Sequence, residues 1–481
     1  MTDIKATDTE VMRVSEGNAS TALDVADTTP ITNLLARRRS GKNVRKQRSS
    51  NVRLTAIVVV GSLFLACVTT SPLRSAAATK QKSTVRTQRA STSPTTIPAT
   101  PTTVATPTTT VPIGKPVLAF APLTSCPNEE AAISRWPLRT RVAQLVAIGA
   151  DGRGLMAAQR LVGEQHIGGL LVRSAPASAS RISADLAALR NLEGALPTSF
   201  SVDEEGGRVQ VLRSIVGSFP SARKLAASSP SKVAKLVSEH HKKVRALGFD
   251  MILGPVLDVT SSNVGVIGDR SFGGDPMLVG VLGSAYAAGV RDAGMTPVIK
   301  HFPGHGGGVG DTHVGRVSTP SIDALRLSDE IPFRMAMADG PTAVMIGHLE
   351  VPGLTGETPS TLSLAAISFE LRTVLGFDGL VVTDSLSMGA VTSRWNAPSA
   401  AVEAIAAGAD VALFVTISER DAIGVIDALE YAVSVGRIAE SQLNRSVVRI
   451  VRSKNLDPCA IDPAVLEQQI ASAELAYRSS R

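Results

Sequence analysis

Aromatic residues make up only 3% of the 481 residues, among them two tryptophans and three tyrosines. A large core, if there is one, must therefore be built mainly from aliphatic side chains. Three cysteines are too few for a disulfide-framed scaffold. Seven histidines are thinly spread, with one exception taken up below. The net charge of +7 hints at a polyanionic partner only until its location is read. Arg37, Arg38, Arg39, Lys42, Arg45, Lys46, Arg48 and Arg53 fall together with no acidic residue among them, and the rest of the chain is nearly neutral. No nucleic-acid partner is expected of such a body.

That basic cluster runs directly into a mostly apolar stretch beginning at Leu54 and reaching Val68. A basic flank followed by an apolar run reads as an export signal or signal-anchor, with the basic side retained in the cytoplasm. The run is short against the roughly 20 residues a spanning helix needs, and continuing it to Leu73 gives a segment over 54–73. Cys67, in Phe64-Leu65-Ala66-Cys67, is similar to a lipoprotein processing site and would carry lipid there. Residues 1–53 show no sustained periodicity and read as a disordered cytoplasmic tail. Residues 74–120 repeat Thr, Pro and Ser, a composition that gives a semi-extended spacer rather than a core. The expected organisation is a tether, an anchor, a folded head over 121–460 and a helical tail over 461–481. The head is placed outside the cytoplasm, held at the membrane or secreted. Cys126 and Cys459 bracket it, and in an exported protein such a pair is expected to form a disulfide.

From Cys126 onward short apolar runs alternate with amphipathic stretches. The runs cover 145–149, 169–172, 198–203, 251–258, 296–300, 343–348, 380–384 and 411–415. Helical periodicity fills 178–192, 231–247, 277–292, 364–375 and 418–435. Strands alternating with helices predict parallel β/α units, because each right-handed crossover needs a covering helix. Eight units predict an α/β fold of the (β/α)8 barrel type as a single catalytic domain. An open doubly wound sheet is the alternative, but no Gly-rich phosphate loop follows the first strand. In a barrel, polar residues at the carboxyl ends of strands converge on one face. Asp203, Asp258, Lys300, His301, His348 and Asp384 all fall at such ends.

Residues 300–313, reading Lys300-His301-Phe302-Pro303-Gly304-His305 and closing on Asp311-Thr312-His313, hold three of the seven histidines and five glycines. A buried strand that hands Lys and His into a flexible loop ending in Asp-x-His is a way to mount a polar site on a rigid edge. A metal site built from His301, His305 and His313 competes with this reading. Their spacing is not that of a familiar zinc motif, and Lys300 would repel a cation.

The same stretch matches the pattern K-H-F-P-G, six residues, then D-S/T-H of family 3 glycoside hydrolases, and the chain resembles their single-domain bacterial β-N-acetylglucosaminidases of the NagZ type. The likeness runs over roughly residues 138–455. It implies Asp384, in Thr383-Asp384-Ser385, as a carboxylate nucleophile, and an Asp-His dyad in which His313 is general acid then base and Asp311 orients it. Asp203, in Asp203-Glu204-Glu205-Gly206-Gly207-Arg208, and Arg270, in Gly268-Asp269-Arg270-Ser271-Phe272, are implied to grip the sugar, with Lys300 and His301 as hydroxyl-binding partners. Arg208 is divided between substrate binding and bracing its loop.

The expected activity is retaining removal of terminal N-acetylglucosamine from cell-wall muropeptides or related glycans, through a glycosyl-Asp intermediate. No cofactor or metal is called for, and a monomer is expected. Two rivals stay open. One is a β-glucosidase, β-xylosidase or glycoside phosphorylase of the same family. The other is a non-catalytic, tethered wall-binding protein, which would be marked by loss of Asp384 or His313.

Overall fold

The computed structural model describes Cys126 and residues 128–479. The tail, apolar segment and spacer expected over 1–120, Cys67 included, lie outside the described residues. Eight strands form one sheet in chain order: β1 (Val146–Ala150), β2 (Gly169–Val172), β3 (Ser199–Val202), β4 (Met251–Ile252), β5 (Thr296–Phe302), β6 (Ala343–Ile346), β7 (Val381–Thr383) and β8 (Ala412–Phe414). Every pairing along the series is parallel. β8 returns to β1 in the register Val146↔Ala412, and a parallel bridge from Val382 to Val411 joins β7 to the approach of β8. The circle closes, as in a (β/α)8 barrel, and the open doubly wound sheet is excluded.

The aliphatic runs explain this closure. β2, β5, β6, β7 and β8 are buried along their whole length, as strands must be when side chains fill the barrel on one side and helices cover the other. The longer helices are α1 (Ala179–Arg190), α2 (Pro230–Ala246), α3 (Pro276–Asp292), α4 (Glu330–Asp339), α5 (Ala365–Val374, wound as a π-helix), α6 (Ala397–Ala407), α7 (Glu419–Ser434), α8 (Glu440–Ser453) and α9 (Pro463–Ser479). Their starts are written locally. Ser229 and Asp275 each accept a first-turn N–H and are followed by Pro at the first helical position, where the missing N–H costs nothing. In α8 the buried Leu443, Val447, Ile450 and Val451 form the stripe that faces the barrel.

Two strands differ from the sequence expectation. β4 covers two residues rather than the expected 251–258, because Pro255 has no N–H to give the ladder. Past Ile252 the chain still runs beside β5: the carbonyls of Gly254 and Pro255 accept the N–H groups of Val298 and Lys300 at 3.0 and 3.1 Å, and the Leu257 N–H donates to the Lys300 carbonyl at 2.6 Å. β5 runs to Phe302, so Lys300 and His301 belong to its last residues rather than to the loop after it.

Beyond β5 the chain forms a small annex. Val317–Ser318 pairs in parallel with Leu349–Glu350, the segment after β6. Val317, Ile322, Leu325, Leu349 and Val351 make a separate apolar cluster beneath. Cys126 and Cys459 are joined as a disulfide with Cα atoms 5.6 Å apart. Among the described residues no helix is long and apolar enough to cross a membrane.

Candidate active site

The carboxyl ends of β3, β5, β6 and β7 deliver the polar residues. Asp384 follows β7, and its Oδ1 accepts the backbone N–H of Ser385 at 2.7 Å. Enclosure in the barrel mouth by itself raises this carboxyl. His348, His301, the Ser385 N–H and Lys300 outweigh it and hold the group below the usual carboxylate range. Asp384 is thus an anion over the working pH range, the state a nucleophile needs.

His348, just after β6, is fully buried. Its Nε2 bonds the Ser385 carbonyl at 2.8 Å and its Nδ1 bonds Thr361 Oγ1 at 2.8 Å. Burial, against the pull of Asp384, lowers its affinity for a proton. A neutral imidazole therefore braces the turn that carries Asp384.

The segment after β3 turns back on itself as a short hairpin of Glu204–Gly206 with Val209–Gln210. Gly206 and Gly207, at φ of 103° and 59°, make the turn that other residues would resist. Lys300, from β5, reaches both carboxylates of this segment. Its Nζ lies 2.8 Å from Asp203 Oδ1 and 2.7 Å from Glu205 Oε1. Arg270 grips Glu205 with two bonds of 2.8 Å. Burial opposes charge on Glu205, but Arg270 and Lys300 overcome it and hold its carboxyl far below the ordinary range.

His301 takes a different partner. Its Nδ1 lies 2.7 Å from Asp258 Oδ2, while Asp258 Oδ1 accepts the N–H groups of His301 and His305 at 3.3 and 2.7 Å. Buried Asp258 is kept ionised against its desolvation by His301 and His305. One carboxylate therefore orients a site histidine and pins the root of the following loop.

At the far end of that loop, Asp311 Oδ1 accepts both the N–H of His313 at 2.9 Å and its Nδ1 at 2.8 Å. Partial burial raises the Asp311 carboxyl, and the two bonds from His313 more than reverse this. With Nδ1 engaged, His313 presents Nε2 outward, and the ring is 64% exposed.

The structure thus brings together Asp203, Arg270, Lys300 and His301 through two buried carboxylates. It sets Asp384 at the end of β7, separated from β5 by β6, and places the His313–Asp311 pair on the loop rising from β5. Arg208 stands on the bracing side of the two roles considered for it. Its Nε bonds Asp269 at 2.9 Å, and its Nη2 bonds the carbonyls of Gly265, Val266 and Ile267 at 3.0, 2.7 and 2.9 Å. Its Nε and Nη2 are both engaged by the loop it holds. Glu205 and the buttressing His348 were not assigned roles from sequence, nor was Asp258 matched to its histidine. All three stood in view as polar residues beside strand ends. What the sequence lacked was their partners, which come from other strands.

His301, His305 and His313 do not gather as metal ligands. Among the described residues the cluster of His, Cys, Asp and Glu close enough to hold an ion is Cys126, Asp457 and Cys459, and its cysteines are bonded to each other.

Comparison with known proteins agrees with this architecture. The profile of the glycosyl hydrolase family 3 N terminal domain matches residues 137–453. Beta-hexosaminidase LpqI of Mycobacterium tuberculosis is 44% identical over 329 residues, which is 66% of this chain and 83% of that protein. The solved structure of M. tuberculosis LpqI superposes with a TM-score of 0.65 at 42% identity, covering 69% of this chain and 98% of that one. A family 3 β-N-acetylglucosaminidase from Paenibacillus sp. superposes with a TM-score of 0.63 at 34% identity, over 70% of this chain and 63% of that one. The chain belongs to glycosyl hydrolase family 3 and is a glycoside hydrolase.

Proposed function

We propose that this protein is a retaining exo-β-N-acetylglucosaminidase that works outside the cytoplasm, tethered by its N-terminal segment. Its substrates are terminal N-acetylglucosamine residues of cell-wall muropeptides or related glycans, the class implied by the resemblance to NagZ-type enzymes. The relatives named beta-hexosaminidase and β-N-acetylglucosaminidase support the N-acetyl sugar. In the first step an Asp384 oxygen attacks the anomeric carbon as the glycosidic C–O bond breaks. His313 Nε2 gives its proton to the departing oxygen. In the second step His313 takes a proton from water, which attacks the same carbon and releases Asp384, so configuration is retained. Asp311 holds the imidazole in the tautomer that leaves Nε2 for this exchange.

The observation that carries this reading is an ionised Asp384 at the end of β7 together with a loop histidine whose Nδ1 is already bound by Asp311. The test is release of chromophore from aryl β-N-acetylglucosaminide and aryl β-glucoside, each with and without phosphate and with EDTA. The N-acetyl substrate should be preferred, and neither phosphate nor EDTA should change the rate or the product. Asp384→Asn should lose more than about 10³-fold in kcat. Retention of activity within about tenfold of the parent would remove Asp384 as nucleophile. A glycosyl phosphate product would identify a phosphorylase instead.

A further inference from the structure

The turn that carries the dyad is held from outside by two backbone bonds. The N–H of Gly389 donates to the His313 carbonyl at 3.1 Å, and the N–H of Ala390 donates to the Thr312 carbonyl at 3.1 Å. Both donors open the short helix Gly389–Thr392, where first-turn N–H groups have no partner within the helix. The turn itself is a unit, because the N–H groups of Val314 and Gly315 both return to the Asp311 carbonyl at 3.0 Å. Asp311, His313 and their mutual bond therefore travel together, and what sets their position is whatever the unit rests on.

We infer that Gly389 is a positioning residue for acid/base catalysis, and that Gly389 and Ala390 form the dock that seats His313 over the nucleophile's strand end. The inference rests on the reading of His313 as the acid/base. Three observations carry it beyond the two bonds.

A side chain at Gly389 has no room. An added Cβ would lie 2.5 Å from the Val314 carbonyl oxygen, 2.7 Å from its carbon and 2.8 Å from the His313 carbonyl oxygen. All three obstructing atoms belong to the backbone of the dyad's turn. Gly389 is also absent from the residues with positive φ, so glycine is needed here for the close approach rather than for its own conformation.

The dock stands five residues after Asp384 on the same connection. Its base is fixed, since the Leu386 N–H donates to the Leu413 carbonyl at 2.8 Å and the Val415 N–H donates to Ser385 Oγ at 3.0 Å. The nucleophile and the seat of the acid/base are thus carried on one anchored turn.

The rest of the loop is held at its neck, where the Val309 N–H donates to the Ser318 carbonyl at 3.0 Å, and not by side chains flanking His313. Val309 and Val314 are 80% and 81% exposed, and Gly310 has a φ of 122°. Thr312, between the two dyad residues, is buried, so the turn packs on the dock side and is open on the other.

The experiment compares the parent, Gly389→Ala and His313→Ala on aryl N-acetyl-β-glucosaminides whose leaving groups run from 2,4-dinitrophenol to phenol. A good leaving group departs without a proton and a poor one needs the acid, so the slope of kcat/KM against leaving-group pKa reads the acid alone. Gly389→Ala should lose about tenfold or more on the phenyl substrate while staying within about threefold of the parent on the dinitrophenyl one. That second value also shows that the variant is folded and its nucleophile intact. His313→Ala should give the same pattern more strongly. A Gly389→Ala enzyme with the parent's slope overturns the dock while the role of His313 stands. Equal losses on every substrate overturn it too, because that is damage without positioning. A flat His313→Ala slope overturns the reading on which the dock depends.

Discussion

Lys300 Nζ lies 2.7 Å from Glu205 Oε1, with both side chains buried at the mouth of the barrel. Arg270 closes on the same carboxylate from its other side. One acid thus fixes two cations that are proposed to meet the sugar. Desolvation disfavours the Lys300 charge, and Asp203 and Glu205 restore it and hold the ammonium above its ordinary range. Preorganised donors of this kind lose little freedom when substrate arrives.

The first prediction removes that acid. Glu205→Ala leaves Lys300 with Asp203 and Arg270 with no carboxylate at bonding distance. Breaking one side of a buried ion pair costs about 3–5 kcal/mol, and urea unfolding should show a loss in that range. kcat/KM should fall with it, chiefly through KM. A stability change near zero would mean that the cations find other partners.

The second prediction concerns Asp258, which bonds His301 Nδ1 and the His305 N–H. Asp258→Asn keeps the shape but turns one acceptor into a donor facing a site histidine. Hydrogen bonds to buried charged groups contribute about 1.5–3 kcal/mol, so kcat/KM should drop about 10- to 100-fold. The slope with leaving-group pKa should not change, because His313, the proposed acid, is untouched. A changed slope would mean that the loop root, and not only His301, has moved.

The third prediction is a pH dependence away from the site. Glu330 in α4 is fully buried, bonded to Arg334 at 2.9 Å, and its Oε1 has no partner. Burial, then the neighbouring Glu370, pushes its carboxyl up to about 7 from an ordinary 4.5. The folded protein then holds a proton that the unfolded chain releases. Stability should fall as pH rises from about 4.5 to about 7 and level off above. Glu330→Gln copies the protonated form. It should match the parent near pH 5 and exceed it at pH 8 by about 1–3 kcal/mol. Parallel melting curves for the two proteins across that range would show the shift to be absent.

The barrel was legible because its strands are short aliphatic runs and the stretches between them carry helical periodicity. Both are local, and all eight runs became strands. β4 was overread because the apolar run continues past Ile252, while Pro255 has no N–H to keep the ladder regular. At the mouth, residue types were legible and partnerships were not. Glu204 and Glu205 are adjacent, yet they face different surroundings. Glu204 bonds buried His240 and Gln210, whereas Glu205 takes Lys300 and Arg270. Only alternation along an extended segment separates them, and the sequence does not show which side holds the cations. Arg270 read as gripping substrate, while Arg208 stood divided between binding and bracing. The loop carbonyls that occupy Arg208 carry no side-chain signature, so bracing could not be told from binding. The dock at Gly389 left a trace only as a glycine beside small residues.

The last prediction tests the join between Cys126 and Cys459, which are separated by 333 residues in sequence. A cross-link restrains the unfolded chain more as the loop it closes grows, and such bonds contribute about 2–5 kcal/mol. Alkylation of the full chain under denaturing conditions without reductant should therefore add no more than one label, at Cys67, and reduction should expose two more thiols. Cys126→Ser with Cys459→Ser should melt several degrees below the parent, about 2–4 °C for each kcal/mol lost, while activity at low temperature is kept. Labelling of Cys126 and Cys459 before reduction would show that the bond does not form. A melting temperature unchanged in the double variant would show that it forms without stabilising the head.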